Sequence, residues 1–417
     1  MGSLIRDILI FIMAPFLVTF FLFAYLFSYI FPRSKYFYLF EYEGIGIPGN
    51  SKYLFFLIIS KLIKTKKRRF ILITNDKRKF KFLKNKGINI VYTYSPKGLL
   101  YTLSSKWHIL YLSPGIKGSI LGFLTGGANI LQIWHGIPMK KIGYRTTERL
   151  KEYSNVELFL IKIGFFWWAG NNIFRKKLKV ISPSKFLSKI FTSAFNISQS
   201  DVIIAEYPRN IILTNRSFYN FMMKYRPLEE IRIYKKLKRL KRRDNIKLFL
   251  YVPTYRNKER EINLNFYELN KILKELNGFL IVKMHWKNYR LQSNMDRIIF
   301  IDPNIDMQFI LPLVDILITD YSSVFFDFLI LDRPIIFYPY DISNYKINRG
   351  LYFNYENFVP GPIAYTKNEL YKIIRNYISN KKDKYKSHRR KILNLVSYYK
   401  GDISGIKPIL RSLKLLN

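Results

Sequence analysis

The sequence predicts an α/β protein of two Rossmann-like domains that face each other across a cleft. Short runs rich in β-branched and aromatic residues alternate with amphipathic stretches, a pattern typical of parallel sheets with crossover helices. A length of 417 residues allows two or three domains. A basic run, Lys235–Arg243, divides the chain near its middle before a new strand opens. We therefore predict domains at residues 35–240 and 241–417.

Strands are predicted where short apolar runs end in turn signals, and helices where apolar residues recur at helical spacing. The predicted strands are Tyr36–Phe40, Phe70–Thr74, Asn89–Tyr92, Ile130–Trp134, Val202–Ala205, Lys247–Val252, Phe279–Met284, Ile316–Thr319 and Ile335–Tyr338. Predicted helices include Ser51–Ile63 and Asn265–Leu276. Ligands of open α/β sheets bind at the carboxyl ends of strands, so the residues that follow these strands are the functional candidates.

The composition excludes several classes of protein. Hydrophobic residues make up 49% and aromatic residues 17%, which excludes a disordered chain. The absence of cysteine excludes disulfide scaffolds, thiolate metal sites and cysteine nucleophiles. The net charge of +42 has two interpretations: compositional drift, or binding of anionic lipid, phosphorylated substrates or nucleic acid. Lys235–Arg243 has no interleaved aromatic platform, and nucleic acid is therefore the weaker partner.

The N-terminal residues 1–34 are predicted to anchor the protein in a membrane. Ile8–Phe31 carries no charge, and a helix of about 36 Å, at about 1.5 Å per residue, crosses a hydrocarbon core of about 30 Å. A signal peptide is the rival interpretation, although no small-x-small cleavage site follows. Pro15 leaves open a helix lying in the interface. The basic residues downstream predict catalytic domains on the cytoplasmic face of the cell membrane.

A second apolar stretch, residues 156–174, places aromatic side chains beside lysines. This combination suits the headgroup level of a bilayer, and we predict a membrane contact there. A buried core helix is the alternative interpretation of the same residues.

One motif follows the predicted strand Ile130–Trp134. The strand ends at His135, and a turn through Gly136 then carries Lys140 and Lys141 around the same strand end. A histidine there can take a proton from a hydroxyl nucleophile near neutral pH, and the two lysines can hold a phosphate. The alternative is a structural histidine that caps a turn.

The strand Phe279–Met284 ends in a similar way. Lys283 and His285 share one face, because side chains alternate along a strand. A lysine and a histidine at a strand's carboxyl end suit a pyrophosphate. A structural histidine with satisfied hydrogen bonds is the alternative.

The residues after Ile316–Thr319 predict an anion site. Asp320 ends this strand, and Ser322 and Ser323 open a short helix that contains Asp327. Hydroxyls and main-chain N–H groups at a helix start bind anions. The two aspartates could form a metal pair. In the preferred interpretation, one orders the turn while the other binds a hydroxyl or buries a hydrogen bond.

The glycines of Gly44–Gly49 match a dinucleotide fingerprint only in part. The nearest acidic candidate, Asp76, lies farther along the chain than the spacing of about 20 residues that the fingerprint requires. We therefore expect no dinucleotide cofactor, and the sequence shows no evident metal cage.

Several motifs together resemble one family. They are QIWHGIPMKKIG (Gln132–Gly143), EYPRN (Glu206–Asn210), YVPTYR (Tyr251–Arg256), VKMH (Val282–His285), DILITDYSSVFFDFLILDRPIIFYPYD (Asp315–Asp341) and RGLYFNYENFVPGPIA (Arg349–Ala364). In this order they resemble the CDP-glycerol glycerophosphotransferase family, which makes teichoic-acid-type poly(polyol phosphate) chains. The resemblance implies a GT-B fold, an N-terminal acceptor domain, a C-terminal domain for a CDP-activated donor, and assembly on a lipid-linked acceptor at the membrane.

The resemblance also implies roles for single residues. It makes His135 the catalytic base, His285 a second essential histidine, Ser322 and Ser323 phosphate-binding residues and Arg349 a donor-binding residue. Two departures, Trp286 in place of a proline and Asn348 in place of an acidic residue, leave the choice of polyol open.

The expected reaction moves glycerol phosphate or a related polyol phosphate from its CDP donor to a hydroxyl and releases CMP. Two other functions fit parts of the sequence. A GT-B glycosyltransferase would use the same cleft for a nucleotide sugar. A non-enzymatic membrane protein that binds anionic polymers would keep the basic surface without needing both histidines.

Overall fold

The computed structural model describes residues 16, 19–20, 23–41, 49–60, 69–111, 124–145, 178–243, 246–254, 263–284, 295–379 and 383–416. His285, the segment 156–174 and half of Ile8–Phe31 lie outside these ranges, and so does all of the glycine motif except Gly49. Across the ranges described, none of the helices combines the length and hydropathy that crossing a bilayer requires.

The first half of the chain forms a seven-stranded sheet with the order β3-β2-β1-β4-β5-β6-β7, in which every pair of neighbours is parallel. Its strands are β1 (Ser34–Glu41), β2 (Arg69–Thr74), β3 (Ile90–Tyr92), β4 (Ser105–Leu110), β5 (Asn129–Gln132), β6 (Leu178–Ser182) and β7 (Val202–Ile204). The helices are α1 (Asn50–Ile59), α2 (Lys77–Asn85), α3 (Pro96–Ser104), α4 (Lys185–Phe195), α5 (Arg216–Met223) and α6 (Leu228–Lys241). Short 3₁₀ helices cover Gly143–Arg145, Gln199–Asp201 and Pro208–Leu213.

The second half forms a five-stranded parallel sheet with the order β10-β9-β8-β11-β12. Its strands are β8 (Lys247–Val252), β9 (Gly278–Val282), β10 (Ile298–Phe300), β11 (Ile316–Thr319) and β12 (Ile335–Phe337). The helices are α7 (Phe266–Glu275), α8 (Val324–Phe328), α9 (Ile342–Arg349), α10 (Tyr355–Phe358), α11 (Lys367–Ser379), α12 (Lys386–Val396) and α13 (Lys407–Ser412). Further 3₁₀ helices cover Met307–Phe309, Leu311–Leu313, Leu329–Leu331 and Ile403–Ile406.

Side-chain caps explain where several helices begin. The Asp76 carboxylate accepts hydrogen bonds from the main-chain N–H groups of Arg78 and Lys79, at 2.8 and 3.1 Å, and so starts α2. Asn215 and Asn265 cap α5 and α7 in the same way. Each cap satisfies N–H groups that the first turn of a helix leaves without a partner. Asp76 is therefore a helix cap.

The prediction of parallel α/β sheets is confirmed, with two strands, β8 and β11, at the predicted bounds. Three strands were missed: β4, β6 and β10. β4 reads Ser-Lys-Trp-His-Ile-Leu, and its polar members conceal the apolar run, although His108 is fully buried. The basic run Lys235–Arg243 covers the C-terminal end of α6, before β8 opens the second sheet. The domain boundary at residue 240 remains a prediction.

The C-terminal segment returns to the first half of the protein. The Tyr38 hydroxyl donates to the main-chain carbonyl of Leu413 at 2.9 Å, and the Glu206 N–H donates to that of Gly405 at 3.0 Å. The Tyr398 N–H also donates to the carbonyl of Pro183. These bonds connect the end of the chain to the first sheet, and the two halves share one large hydrophobic core.

Candidate active site between the two sheets

The loop after β5 presents His135 at the carboxyl end of its strand. Trp134, in a left-handed conformation with φ of 48°, turns the chain out of the sheet. The Gln132 side chain accepts a hydrogen bond from the Trp134 N–H at 3.0 Å, and the Asn50 amide donates to the Trp134 carbonyl at 2.8 Å. The buried side chain of Asn50 lies at the start of α1, so helix and loop fix each other.

The environment of His135 favours a neutral imidazole. Its ring packs against that of Trp134, with centroids 4.3 Å apart. Burial, and then the positive charges of Arg209 and Lys140, lower the pKa of His135 to about 4, although the main chain of Tyr111 opposes this shift. Because a neutral imidazole can accept a proton, the side chain is ready to act as a base at neutral pH.

Arg209 joins the His135 loop to the second half of the protein. It lies on the 3₁₀ helix Pro208–Leu213, and its Nη1 donates to the His135 carbonyl. Its Nη2 contacts both carboxylate oxygens of Asp327, at 2.9 and 2.8 Å, and Asp327 also accepts from Gln308 Nε2 at 2.9 Å. Burial raises the pKa of Asp327, while the guanidinium and the amide oppose that rise.

Gly136 brings the first half directly against the predicted serine site. A Cβ atom at this position would lie 3.0 Å from Arg209 Nη2 and 3.1 Å from Ser323 Oγ, so only a glycine fits without displacing a neighbour. The structure therefore brings His135, Gly136 and Ser323 together, although they are far apart in sequence.

The turn after β11 is ordered by Asp320. Its carboxylate accepts hydrogen bonds from the N–H of Thr254 at 2.9 Å, from the Thr254 hydroxyl at 2.6 Å and from the N–H of Tyr321 at 2.6 Å. Ser323 precedes α8 without capping it through its side chain. Because α8 is only five residues long, its dipole is small. The hydroxyls of Ser322 and Ser323 are therefore the main candidates for binding an anion at this turn.

Lys140, Lys141 and Arg349 meet at a contact between the two halves. Lys140 pairs with Leu351 in an antiparallel β-bridge, and the Lys141 N–H donates to the Gly350 carbonyl at 3.1 Å. Arg349 ends α9 immediately before Gly350. Main-chain pairing thus brings three cationic residues from two predicted motifs to the contact between the two halves.

Lys283, Asp320 and Asp327 all bind groups of the protein itself, and a part in donor binding stays a prediction for each. Lys283 is buried, and its Nζ donates to the Pro303 carbonyl at 2.6 Å; burial lowers its pKa to about 8. The two aspartates accept hydrogen bonds from protein groups and act as positioning residues in this structure. They also have different protein partners, and among the described residues no cluster of carboxylate and histidine side chains could hold a metal.

A second buried polar cluster connects the halves and was not predicted. The Asp306 carboxylate contacts Lys52 Nζ at 2.7 Å, the Tyr53 hydroxyl at 2.7 Å and Arg226 Nη1 at 2.9 Å. Burial alone would raise the pKa of Asp306, but Lys52 and Arg226 hold it well below its usual range. Because α1 supplies two of the partners, this cluster fixes the helix that also carries Asn50.

Sequence reasoning missed Arg209, Asn50 and Gln308 as parts of the site. Arg209 belongs to the EYPRN motif and Asn50 directly follows the glycines of Gly44–Gly49, but neither lies at the end of a predicted strand. Gln308 had no sequence signal of its own. The three side chains come together only through the packing of the two halves.

Comparison with known proteins gives the family of this chain. The model of the CDP-glycerol:poly(glycerophosphate) glycerophosphotransferase family matches residues 23–404. A teichoic acid poly(glycerol phosphate) polymerase of Bacillus spizizenii is 28% identical over 396 residues, covering 89% of this chain and 91% of the relative. A teichoic acid glycerol-phosphate transferase of Staphylococcus aureus is 30% identical, covering 58% of this chain and 60% of the relative.

One further relative is longer than this chain, and a separate comparison with solved structures gives the fold. A teichoic acid poly(glycerol phosphate) polymerase of Bacillus subtilis is 31% identical over a match that covers 60% of this chain and 32% of the relative. The structure of the wall teichoic acid polymerase TagF superposes with a TM-score of 0.68 at 21% identity, covering 92% of this chain and 90% of that one. This likeness shows a GT-B-like fold. The chain belongs to the CDP-glycerol:poly(glycerophosphate) glycerophosphotransferase family and is a transferase.

Proposed function

We propose that this enzyme transfers glycerol phosphate, or a related polyol phosphate, from a CDP-activated donor to a hydroxyl of a lipid-linked acceptor. The observation that carries the proposal is the approach of the His135 loop to the Ser323 turn, where Gly136 leaves room for only a hydrogen atom. The residue proposed as the base and the serines proposed to bind the donor therefore lie on adjoining loops from the two halves. Family membership makes a CDP-polyol the donor to test first.

In the proposed reaction the acceptor oxygen attacks the phosphorus that bears the polyol. A new P–O bond forms, the bond from this phosphorus to the bridging oxygen breaks, and CMP leaves with that oxygen. His135 takes the proton of the attacking hydroxyl, which its neutral imidazole allows. A positioned general base contributes on the order of 10²–10⁴-fold to the rate.

The remaining predicted residues divide between donor and acceptor. Ser322, Ser323, His285 and Arg349 are proposed to hold the donor pyrophosphate and to neutralise the charge that develops on the leaving CMP. Gly136, Lys140 and Lys141 lie on the His135 loop and are proposed to receive a phosphate of the acceptor. Phosphoryl transfer depends mostly on positioning and charge stabilisation, which such a cationic cleft provides.

A membrane contact through the N-terminal residues is part of the proposal. Residues 23–30 are helical, and Phe23 and Ile30 are 65% and 77% exposed. Arg33 fastens this helix to the first sheet, since its guanidinium donates to the carbonyls of Ser28 at 3.1 Å and Thr102 at 2.6 Å. Exposed aromatic side chains suit a bilayer interface, and this supports a membrane contact through the helix. The basic residues downstream favour the cytoplasmic face of the cell membrane.

Nucleotide release from the purified enzyme in liposomes tests the donor. The enzyme is offered CDP-glycerol, CDP-ribitol and a panel of nucleotide sugars, each with a lipid-linked acceptor. The proposal expects CMP from a CDP-polyol and no nucleotide from the sugars. Release of UDP or GDP from a nucleotide sugar would contradict it and would indicate a glycosyltransferase.

A further inference from the structure

One buried arginine contacts both sides of the proposed active site. The side chains of Arg209 and Asp327 are only 3% and 4% exposed. Arg209 Nη1 donates to the carbonyl of His135 itself, and Nη2 contacts both oxygens of Asp327. Asp327 lies on α8, one helical turn after Ser323. A single guanidinium therefore spans from the proposed base to the element that carries the proposed phosphate ligand.

Both ends of this connection are held by further hydrogen bonds. Gln308 Nε2 donates to Asp327 at 2.9 Å, which fixes the carboxylate on the second half. On the first half, the Arg209 N–H donates to Asn50 Oδ1 at 3.3 Å, and the same Asn50 amide donates to the Trp134 carbonyl. The network thus reaches the His135 loop twice, once through the guanidinium and once through Asn50.

The geometry leaves little room for adjustment. A Cβ atom on Gly136 would lie within 3.0 Å of Arg209 Nη2 and 3.1 Å of Ser323 Oγ, so arginine, loop and serine are in close contact. A lysine in place of Arg209 would keep the charge but lose the planar fork that contacts the His135 carbonyl and Asp327 together.

We infer that Arg209, with Asp327 as its counter-ion, is a positioning residue that holds the His135 loop in register with the Ser323 turn. The inference rests on the proposed function, in which His135 is the base. It gives the arginine of the EYPRN motif a structural role, since Arg209 aligns the two halves of the site instead of contacting the substrate.

Arg209 has an electrostatic effect that can be measured apart from its geometric one. The charged groups that act on His135 are Arg209 and Lys140, which both disfavour the imidazolium ion. Removing the guanidinium leaves burial and Lys140 as the causes of the low pKa, so the His135 pKa should rise from about 4 by the part that Arg209 contributes. Arg209→Lys should keep the pKa low and still misplace the loop.

The test uses the full-length protein and three variants: Arg209→Gln, Arg209→Lys and Arg226→Gln. The chain has four histidines, so NMR of ¹⁵N-histidine-labelled protein can follow His135 once His135→Gln assigns its signal. Arg226 is the matched control, because it too is buried and bridges to an aspartate of the second half, but it pairs with Asp306. CMP release from the donor is measured in parallel.

Arg209→Gln should raise the His135 pKa and lower CMP release on the order of 10²-fold, the size expected for a misplaced catalytic group. Arg209→Lys should lower CMP release to a similar degree with the pKa still low, and Arg226→Gln should lower the melting temperature and leave the His135 pKa unchanged. If Arg209→Gln does not fold, the lysine variant decides through its combination of lost turnover and unchanged pKa.

Wild-type turnover in Arg209→Lys, or an equal rise of the His135 pKa in Arg226→Gln, would overturn the inference. The NMR titration requires no donor. An inactive wild-type enzyme would therefore count against the proposed function, while the His135 pKa would still report on Arg209.

Discussion

At the scale of single residues, His135 obtains the properties of a base from its neighbours. Trp134 shields one side of the ring, and the positive charges of Arg209 and Lys140 disfavour a second positive charge nearby. The result is a histidine that stays neutral well below pH 7. A low pKa makes it a weaker base but ensures that the proton-accepting form is present.

The pH dependence of donor turnover should show this lowered pKa. The neutral form of His135 predominates above its pKa of about 4, so kcat/KM for CMP release should stay level from pH 8 to pH 6 and decline only in more acidic buffer. Circular dichroism at each pH verifies that the enzyme remains folded. An acid limb with a midpoint near the ordinary histidine value of about 6.5 would show that the environment does not act as described.

At the scale of elements, the site depends on two loops that meet without a gap. The loop after β5 and the turn after β11 come from different sheets, and Gly136 is where they are closest. The bridge between Lys140 and Leu351 repeats this contact a few residues later. The carboxyl ends of the two sheets are thus joined by main-chain and side-chain bonds around the proposed cleft.

Gly136→Ala should separate these loops. The added methyl group would lie 3.1 Å from Ser323 Oγ and 3.0 Å from Arg209 Nη2, so these side chains or the loop must give way by a few tenths of an ångström, and we expect CMP release to fall about 10-fold. Gly87→Ala is the control: Gly87 has a φ of +75° but open space around its Cβ position, so it tests backbone strain away from the site. Equal turnover in Gly136→Ala and wild type would argue against a close approach of the loops.

The sequence was sufficient to place most strands of the two sheets but not the whole site. Strands with continuous apolar runs, such as β8 and β11, could be placed by pattern, whereas β4 could not because Ser105, Lys106 and His108 interrupt its run. His135 and Ser323 could be predicted since each follows a strand end. Arg209 and Gln308 could not, because their partners come from remote segments and only packing brings them together.

At the scale of the whole molecule, buried polar contacts hold the two halves together. The Asp306 cluster joins them through Lys52 and Arg226, and the C-terminal segment joins them through the bond from Tyr38 to Leu413. Glu206, just after β7, contacts the C-terminal segment. Its carboxylate accepts a hydrogen bond from the Lys400 N–H at 3.2 Å and lies against Gly405. Because a buried charge is costly, burial raises the pKa of Glu206 to about 8.

Glu206 should make the protein less stable in mildly alkaline buffer. Its folded-state pKa of about 8 exceeds the ordinary value of 4.5, so the folded state binds the extra proton between these pH values. This contribution to the free energy of unfolding is complete below pH 4.5 and is lost as the pH rises through about 8. Between pH 7 and pH 9, the free energy of unfolding measured in urea should fall less in Glu206→Gln than in wild type. Equal losses would indicate that Glu206 is ionised in the folded protein.

The most direct test of the central claim is CMP release from CDP-glycerol by wild-type enzyme and by His135→Ala, with a lipid-linked acceptor in liposomes. Wild type should form CMP and a new phosphodiester, and His135→Ala should lose on the order of 10²–10⁴-fold in rate while it keeps the wild-type circular dichroism spectrum. His388→Ala, which alters a histidine outside the site, serves as the control and should retain turnover. Near wild-type CMP release by a folded His135→Ala enzyme would contradict the account.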